Sequence, residues 1–121
     1  MKVFTSAIRL NTKKKAEEIK ITDQVEAVLL ESGVTEGMVL VFTGHTTASL
    51  HLNNADRELG LDLHDFLNNW IPNKPDYRHN KGDYGKNADA HFKSLLVGNS
   101  ITLPITRGRL ALGQWQAVYF S

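Results

Sequence analysis

The chain has 121 residues, a formal net charge of +1 and no cysteine, which fits one domain over residues 1–121 with its own hydrophobic core. The near-neutral charge argues against nucleic acid as a partner, and the lack of cysteine excludes disulfides and thiolate metal sites. No apolar run reaches the length of a membrane span, so we expect a cytoplasmic protein with no membrane partner.

The first half of the chain alternates predicted strands with one helix. Loosely alternating apolar residues favour a strand over 2–10, and a second short strand is expected over 19–21. The lysine cluster at 13–15 is interpreted as a solvated turn. An Asp-x-x-Glu capping box opens a predicted helix over 23–33, with glycine at its C-terminal cap. A β-rich apolar run over 38–42 predicts a buried strand.

The second half carries the strongest helical pattern. Apolar residues recur at i, i+4, i+7, i+8 and i+11 between Leu59 and Trp70, which predicts an amphipathic helix that ends before Pro72. Strands flank helices without regular βαβ alternation, so we predict an α+β fold with mixed or antiparallel sheets and two to three helices. The remaining predicted elements are a long loop over 72–87, a helix over 88–96, a strand over 101–105, a turn over 106–109 and a strand over 114–120.

Three histidines in separate polar motifs are the candidate metal ligands. They are His45, His79 and His91, and neutral imidazole is the commonest protein ligand for a transition metal. Their gaps of 34 and 12 residues match no local zinc motif, so only the tertiary structure can bring them together. His51 and His64 are interpreted as ordinary surface or hydrogen-bonded residues, although His51 shares a face with His45 if the segment is extended.

Other polar residues near these motifs have both a functional and a plain structural interpretation. The hydroxyls of Thr46 and Thr47 are candidate donors to a phosphate, although threonine is also a good strand residue. Asp62 is a candidate catalytic base or a group that orients a ligand histidine, or else a solvated carboxylate on a helix. Lys93 and Arg109 are candidate anion-binding cations, or else ordinary surface residues.

Taken together, the motifs resemble the YjbQ family, whose members are sometimes labelled secondary thiamine-phosphate synthases. Each block is weak alone, but they occur in order and cover nearly the whole chain. The matching segments are His45-Thr46-Thr47-Ala48-Ser49-Leu50 with Asn53, Asp56 and Asp62, then Tyr77-Arg78-His79, Ala90-His91-Phe92-Lys93-Ser94, Ser100–Pro104, Gly108-Arg109 and Gly113-Gln114-Trp115-Gln116.

The resemblance implies two packed sheets forming a compact sandwich, assembled as a homotrimer. It implies that His45, His79 and His91 hold a divalent metal, such as zinc, or an anion. The implied activity is thiamine-phosphate-synthase-like, acting on a small phosphorylated compound that Thr46, Thr47, Asn53 and Lys93 would bind, with Asp62 as the catalytic group. The alternative is a homotrimer that binds a metal or metabolite without catalysis.

Three features depart from the family pattern. The usual Asn-Glu-Asn is replaced by Asn53-Asn54-Ala55, so one acidic group is missing. The usual Gly-Thr-Trp-Gln appears as Gly113-Gln114-Trp115-Gln116, and family members normally continue with a further strand beyond position 121.

Overall fold

The structure is a computed structural model that describes residues 1–14 and 17–121. These residues form a compact α+β domain of six strands and four helices, one helix more than the upper end of the predicted number. The elements are β1 (Ile19–Lys20), α1 (Thr22–Ser32), β2 (Gly37–Phe42), β3 (Leu50–Asn54), α2 (Arg57–Trp70), α3 (Arg78–Lys81), α4 (Ala88–Val97), β4 (Ser100–Thr106), β5 (Arg109–Leu110) and β6 (Gln116–Phe120).

Two three-stranded sheets and helix α1 enclose the core. Sheet A has the order β1-β6-β3 and sheet B the order β2-β4-β5, and every pairing is antiparallel. The core draws on both sheets and on α1, which confirms the predicted α+β class. Its buried residues are Ile21, Val25, Leu29, Leu50, Leu103, Ile105, Leu110 and Val118.

A two-residue turn joins β4 to β5. Arg107 and Gly108 have φ angles of 55° and 74°, the left-handed pair that a type I′ hairpin requires. The Gly108 N–H donates to the carbonyl of Thr35 at 2.9 Å, and the Arg107 N–H donates to Glu36 at 3.1 Å. The hairpin tip is therefore fixed against the turn that precedes β2.

The ends of α1 agree with the sequence pattern at one terminus and depart from it at the other. The predicted capping box is wrong, because the helix begins at Thr22 and places Asp23 inside its first turn. Within the described residues no side chain caps this end. The Thr22 hydroxyl instead accepts a hydrogen bond from the Val118 N–H at 2.9 Å. Gly33 closes the other end at φ 70°, as predicted.

The predicted strand over 2–10 is not formed. In the described part of the chain this segment carries no strand assignment, although Ile8 and Leu10 pack against the core. A strand is defined by pairing with a neighbour, and no described strand pairs with this segment. Of the lysine cluster at 13–15, Lys15 lies outside the described residues, and the other two lysines are exposed.

The amphipathic helix is confirmed as α2, but its apolar stripe stays in contact with solvent. Asp56 caps it, accepting hydrogen bonds from the backbone of Glu58 and Leu59 at 3.0 and 3.4 Å. Among the described residues α2 buries none of its own, and Phe66 and Trp70 are 58% and 62% exposed. No helix in the described ranges is long and apolar enough to cross a membrane.

Candidate functional site

Asn80 organises the segment that the sequence predicted as a long loop. Its buried amide nitrogen donates to Asn73 Oδ1 at 2.7 Å and to the carbonyl of Lys74 at 2.8 Å. Its amide oxygen accepts a hydrogen bond at 3.0 Å from the N–H of Ala88, the first residue of α4. These bonds fold the segment into the short helix α3 and hold it against the start of α4.

This fold brings His79 of α3 and His91 of α4 together. Their ring centroids lie 4.8 Å apart and the rings meet edge to face at 78°. The Nε2 of His79 lies 2.8 Å from the Oδ1 of Asn87, and an amide oxygen only accepts. Nε2 therefore carries the proton, and Nδ1 keeps its lone pair in the neutral ring. That arrangement is typical of an imidazole oriented for ligation.

A cavity of about 390 Å³ opens beside the pair. It is lined by His79 and by Asp76, Tyr77, Arg78 and Phe92. Tyr77 and Phe92 meet edge to face with centroids 5.2 Å apart and form one wall. The carboxylate of Asp76 and the guanidinium of Arg78 thus lie next to a candidate ligand, which can offer a base and an anion-binding fork.

Sequence reasoning missed Asp76 and Asn87. Asp76 directly precedes the Tyr-Arg-His motif, so its position in the sequence was an available signal. Asn87 bonds to His79 across eight residues, and only the fold of the loop shows it.

The third predicted ligand, His45, lines a different cavity. It borders a groove next to β2, together with Gly44 and Thr47. Its loop is tied to α4, because the Ser94 hydroxyl donates to the carbonyl of Ala48 at 2.5 Å, one turn after His91. Across residues 1–14 and 17–121 no group of three His, Asp or Glu side chains is placed to hold a metal ion. One chain therefore brings two of the three histidines together.

The candidate anion-binding residues lie on different elements. Thr46 and Thr47 are exposed on the loop of His45. The Nζ of Lys93 lies 2.9 Å from Asp89 Oδ2 and donates to Asn68 Oδ1 of α2 at 2.6 Å, so its charge is already paired.

Two other predicted residues lie outside the histidine pair's cavity. Asn53 is half-buried on β3, where its Oδ1 accepts from the next backbone N–H at 2.8 Å. Asp62 is exposed on α2. Neither residue lines the cavity next to His79.

The two histidines set aside in the sequence analysis have structural partners. His64 Nε2 lies 3.0 Å from Asn68 Nδ2, one helical turn away on α2. His51 lies on β3, with Nε2 2.9 Å from Glu18 Oε1. Its ring stacks on Tyr119, with centroids 5.6 Å apart.

Comparison with known families assigns these motifs. The YjbQ family, described as UPF0047 protein YjbQ-like, matches residues 6–121. The chain belongs to the YjbQ family. A UPF0047 protein of Archaeoglobus fulgidus is 44% identical over 113 residues, which cover 93% of this chain and 86% of the relative. The UPF0047 protein YugU of Bacillus subtilis is 39% identical over 115 residues, which cover 93% of this chain and 84% of the relative.

Solved structures agree on the fold. A YbjQ-like protein from Sulfolobus solfataricus, described as being of unknown function, superposes with a TM-score of 0.86 at 31% identity. That match covers 92% of this chain and 79% of the other. An uncharacterised YjbQ/UPF0047 protein from Clostridium acetobutylicum gives a TM-score of 0.84 at 39% identity, covering 92% and 84%. These relatives establish the family and the fold.

Proposed function

We propose that this protein is a metal-assisted enzyme that acts on a small phosphorylated compound, with the His79–His91 pair at its centre. The observation that carries the proposal is the edge-to-face pair at 4.8 Å, with His79 held in one tautomer by Asn87. Arg78 lines the same cavity, and a guanidinium matches the geometry of a phosphate.

The donor chemistry fits a divalent metal such as zinc. Imidazole nitrogen suits zinc, and three protein ligands with one open position are typical of catalytic sites. His79 and His91 supply two donors, and we propose His45 as the third. The hydrogen bond from Ser94 to the Ala48 carbonyl keeps the His45 loop against α4. The loop would therefore need only a limited movement to bring His45 to the other two histidines. A homotrimer with the site at its subunit boundary is the second route to a complete ligand set.

Each neighbouring side chain has a role in this proposal. A bound metal would polarise a phosphoryl oxygen or lower the pKa of a coordinated water. Arg78 would bind the phosphate through its guanidinium fork, and Asp76 would accept a proton at its carboxylate beside His79. Lys93 would join the anion site only by leaving Asp89. Thr46, Thr47 and Asn53 stay candidates for substrate contact, and Asp62 stays a candidate catalytic group.

The test combines metal binding with two assays. Purified protein is stripped, titrated with Zn²⁺, and assayed for thiamine phosphate synthesis, the activity the resemblance suggests, and for hydrolysis of a simple phosphoester. We expect His79→Ala and His91→Ala to lose Zn²⁺ binding and turnover while keeping the fold. His64→Ala is the matched control, because His64 is an exposed histidine of α2. Wild type with no turnover above its metal-stripped form would contradict the enzyme proposal.

The second candidate is a homotrimer that binds a metal or metabolite without catalysis. The exposed apolar stripe of α2 favours an assembled protein, because Phe66 and Trp70 would otherwise stay in water. The exposed position of Asp62, away from the histidine pair's cavity, favours binding over catalysis. Light scattering at micromolar concentration tests the assembly, and a stable monomer would refute it. Zn²⁺ binding without turnover would favour this candidate over the enzyme.

A further inference from the structure

A chain of side-chain hydrogen bonds joins helix α2 to helix α4. The Nζ of Lys93 on α4 donates to Asn68 Oδ1 on α2 at 2.6 Å, across 25 residues of sequence. The same ammonium lies 2.9 Å from Asp89 Oδ2, one turn earlier on α4. At the other end of the amide, Asn68 Nδ2 lies 3.0 Å from His64 Nε2 on α2. We call these four residues the α2–α4 tether.

Lys93 fixes the direction of every hydrogen bond in the tether. An ammonium only donates, so the amide oxygen of Asn68 has to face Lys93. The amide nitrogen of Asn68 therefore faces His64, and that nitrogen also only donates. It follows that His64 Nε2 accepts with its lone pair, and that the neutral ring carries its proton on Nδ1.

A proton added to His64 breaks this order. The imidazolium carries a proton on both ring nitrogens, so its Nε2–H would point at the N–H groups of Asn68. Rotating the amide does not help, because its nitrogen would then face the Lys93 ammonium, again donor against donor. The new positive charge also lies near that of Lys93, because both side chains bond to the same amide.

Two carboxylates approach this helix from other elements, and each already has a partner. Asp89 of α4 is paired with the lysine of the tether. Glu18 Oε1 lies 2.9 Å from His51 Nε2, and its Oε2 approaches α2 at Gly60, one turn before His64. In the described part of the chain no carboxylate forms an ion pair with His64. The acidic residues of α2 nearest to it in sequence are exposed, and they are Asp62 and Asp65.

We propose that the tether is acid-sensitive: it holds α2 against α4 while His64 is neutral and releases it when His64 takes up a proton. The attached state accepts only the neutral ring, whereas the released helix accepts either form. Release is therefore coupled to proton uptake, so attachment weakens as the pH falls. An imidazole changes charge between about pH 5 and 8, which is the interval in which α2 should respond.

The test is amide hydrogen exchange in α2 of the metal-free 121-residue chain, between about pH 5 and 8. An isolated helix of 14 residues is marginal in water, so protection of its amides reports its attachment. After correction for intrinsic exchange, protection of Leu63 and Leu67 should fall at least about threefold on acidification, because one hydrogen bond is lost. Leu103 on β4 is the internal reference and should keep its protection.

Three substitutions separate the tether from other effects of pH. His64→Gln supplies an amide oxygen that accepts from Asn68 at every pH, so protection should stay high throughout. Asn68→Asp gives an acceptor to both Lys93 and the imidazolium, so protection should rise on acidification, the reverse of wild type. Asn69→Asp adds the same charge at an exposed neighbouring position and should respond as wild type does.

Three results would overturn the proposal. The first is protection of Leu63 and Leu67 in wild type that does not change across this pH range. The second is the same fall in His64→Gln as in wild type. The third is a nitrogen-15 NMR spectrum that places the proton of the neutral His64 ring on Nε2, because the bond from Asn68 would then run in the wrong direction.

Discussion

Glu18 lies between His51, on strand β3 of sheet A, and Gly60, on helix α2. Its Oε1 lies 2.9 Å from His51 Nε2, and a Cβ added to Gly60 of α2 would lie 2.8 Å from its Oε2. Both side chains are mostly buried, at 20% and 14% exposure for Glu18 and His51. Among the described residues α2 buries none of its own, so this close approach helps to hold it against the rest of the domain.

This contact predicts an unusual response to Gly60→Ala. Alanine in a helix normally stabilises by about 1 kcal/mol relative to glycine. Here the added methyl must displace the Glu18 carboxylate and weaken its bond to His51, so we expect no gain or a loss of stability. Chemical denaturation monitored by far-UV circular dichroism measures the change.

The double-mutant cycle with Glu18→Ala isolates the cause. In that background Gly60→Ala should recover its stabilising effect of about 1 kcal/mol, since the carboxylate is gone. A Gly60→Ala effect that is identical in both backgrounds would mean that the carboxylate does not limit the space at this position.

Tyr119 predicts how stability changes at alkaline pH. Burial raises the pKa of the Tyr119 phenol above its ordinary value of 10.0, and the carboxylates of Glu18 and Asp56 raise it further. The folded state therefore holds the proton more tightly than the unfolded state, so stability is lost as the pH rises through and above 10. Denaturation midpoints between pH 8 and 11.5 measure this loss.

The control for this prediction is Tyr119→Phe, which keeps the ring but cannot ionise. Its midpoint should fall less steeply than that of wild type above pH 10. Parallel curves for the two proteins would assign the alkaline loss to other groups.

Asn87→Ala tests the orientation of His79 and rests on the proposed metal function. Removing the Oδ1 that accepts from Nε2–H frees the ring to rotate and leaves its tautomer unfixed. We expect Zn²⁺ affinity to fall about 10- to 100-fold while the fold is kept, as for other groups that orient metal ligands. Isothermal titration calorimetry measures this. Asn69→Ala, an exposed asparagine on α2, is the control and should bind as wild type does.

Arg107→Asn should stabilise the protein. Arg107 has φ 55°, a left-handed conformation that costs a non-glycine residue about 1 kcal/mol and that asparagine tolerates better. Asn-Gly is also a preferred pair for a type I′ turn, and the backbone bond to Glu36 is retained. We expect a gain of about 0.5 kcal/mol, measured by urea denaturation. Arg109→Asn, on the adjacent strand, should give no such gain.

Local patterns in the sequence determined those elements that form without regard to which other segment packs against them. The amphipathic period of α2, the glycine that ends α1 and the strand β2 were predicted correctly, because each follows from the neighbouring residues alone. The predicted burial of β2 was wrong: Met38, Leu40 and Phe42 are 76%, 66% and 64% exposed, because only alternate residues of the strand face the core. The chain's motifs also identified its family, since their order does not depend on packing.

Only the tertiary structure decided which segments pair as strands and which distant side chains come together. The segment over 2–10 has strand alternation but pairs with no strand among residues 1–14 and 17–121, so its pattern did not become a strand there. The helix α3 exists because Asn80 bonds to both sides of the loop, a set of contacts that no local pattern encodes. The meeting of His79 with His91, and the separate cavity of His45, depend on distances between elements far apart in sequence. Spacing along a chain does not determine such distances, because only packing brings distant residues together.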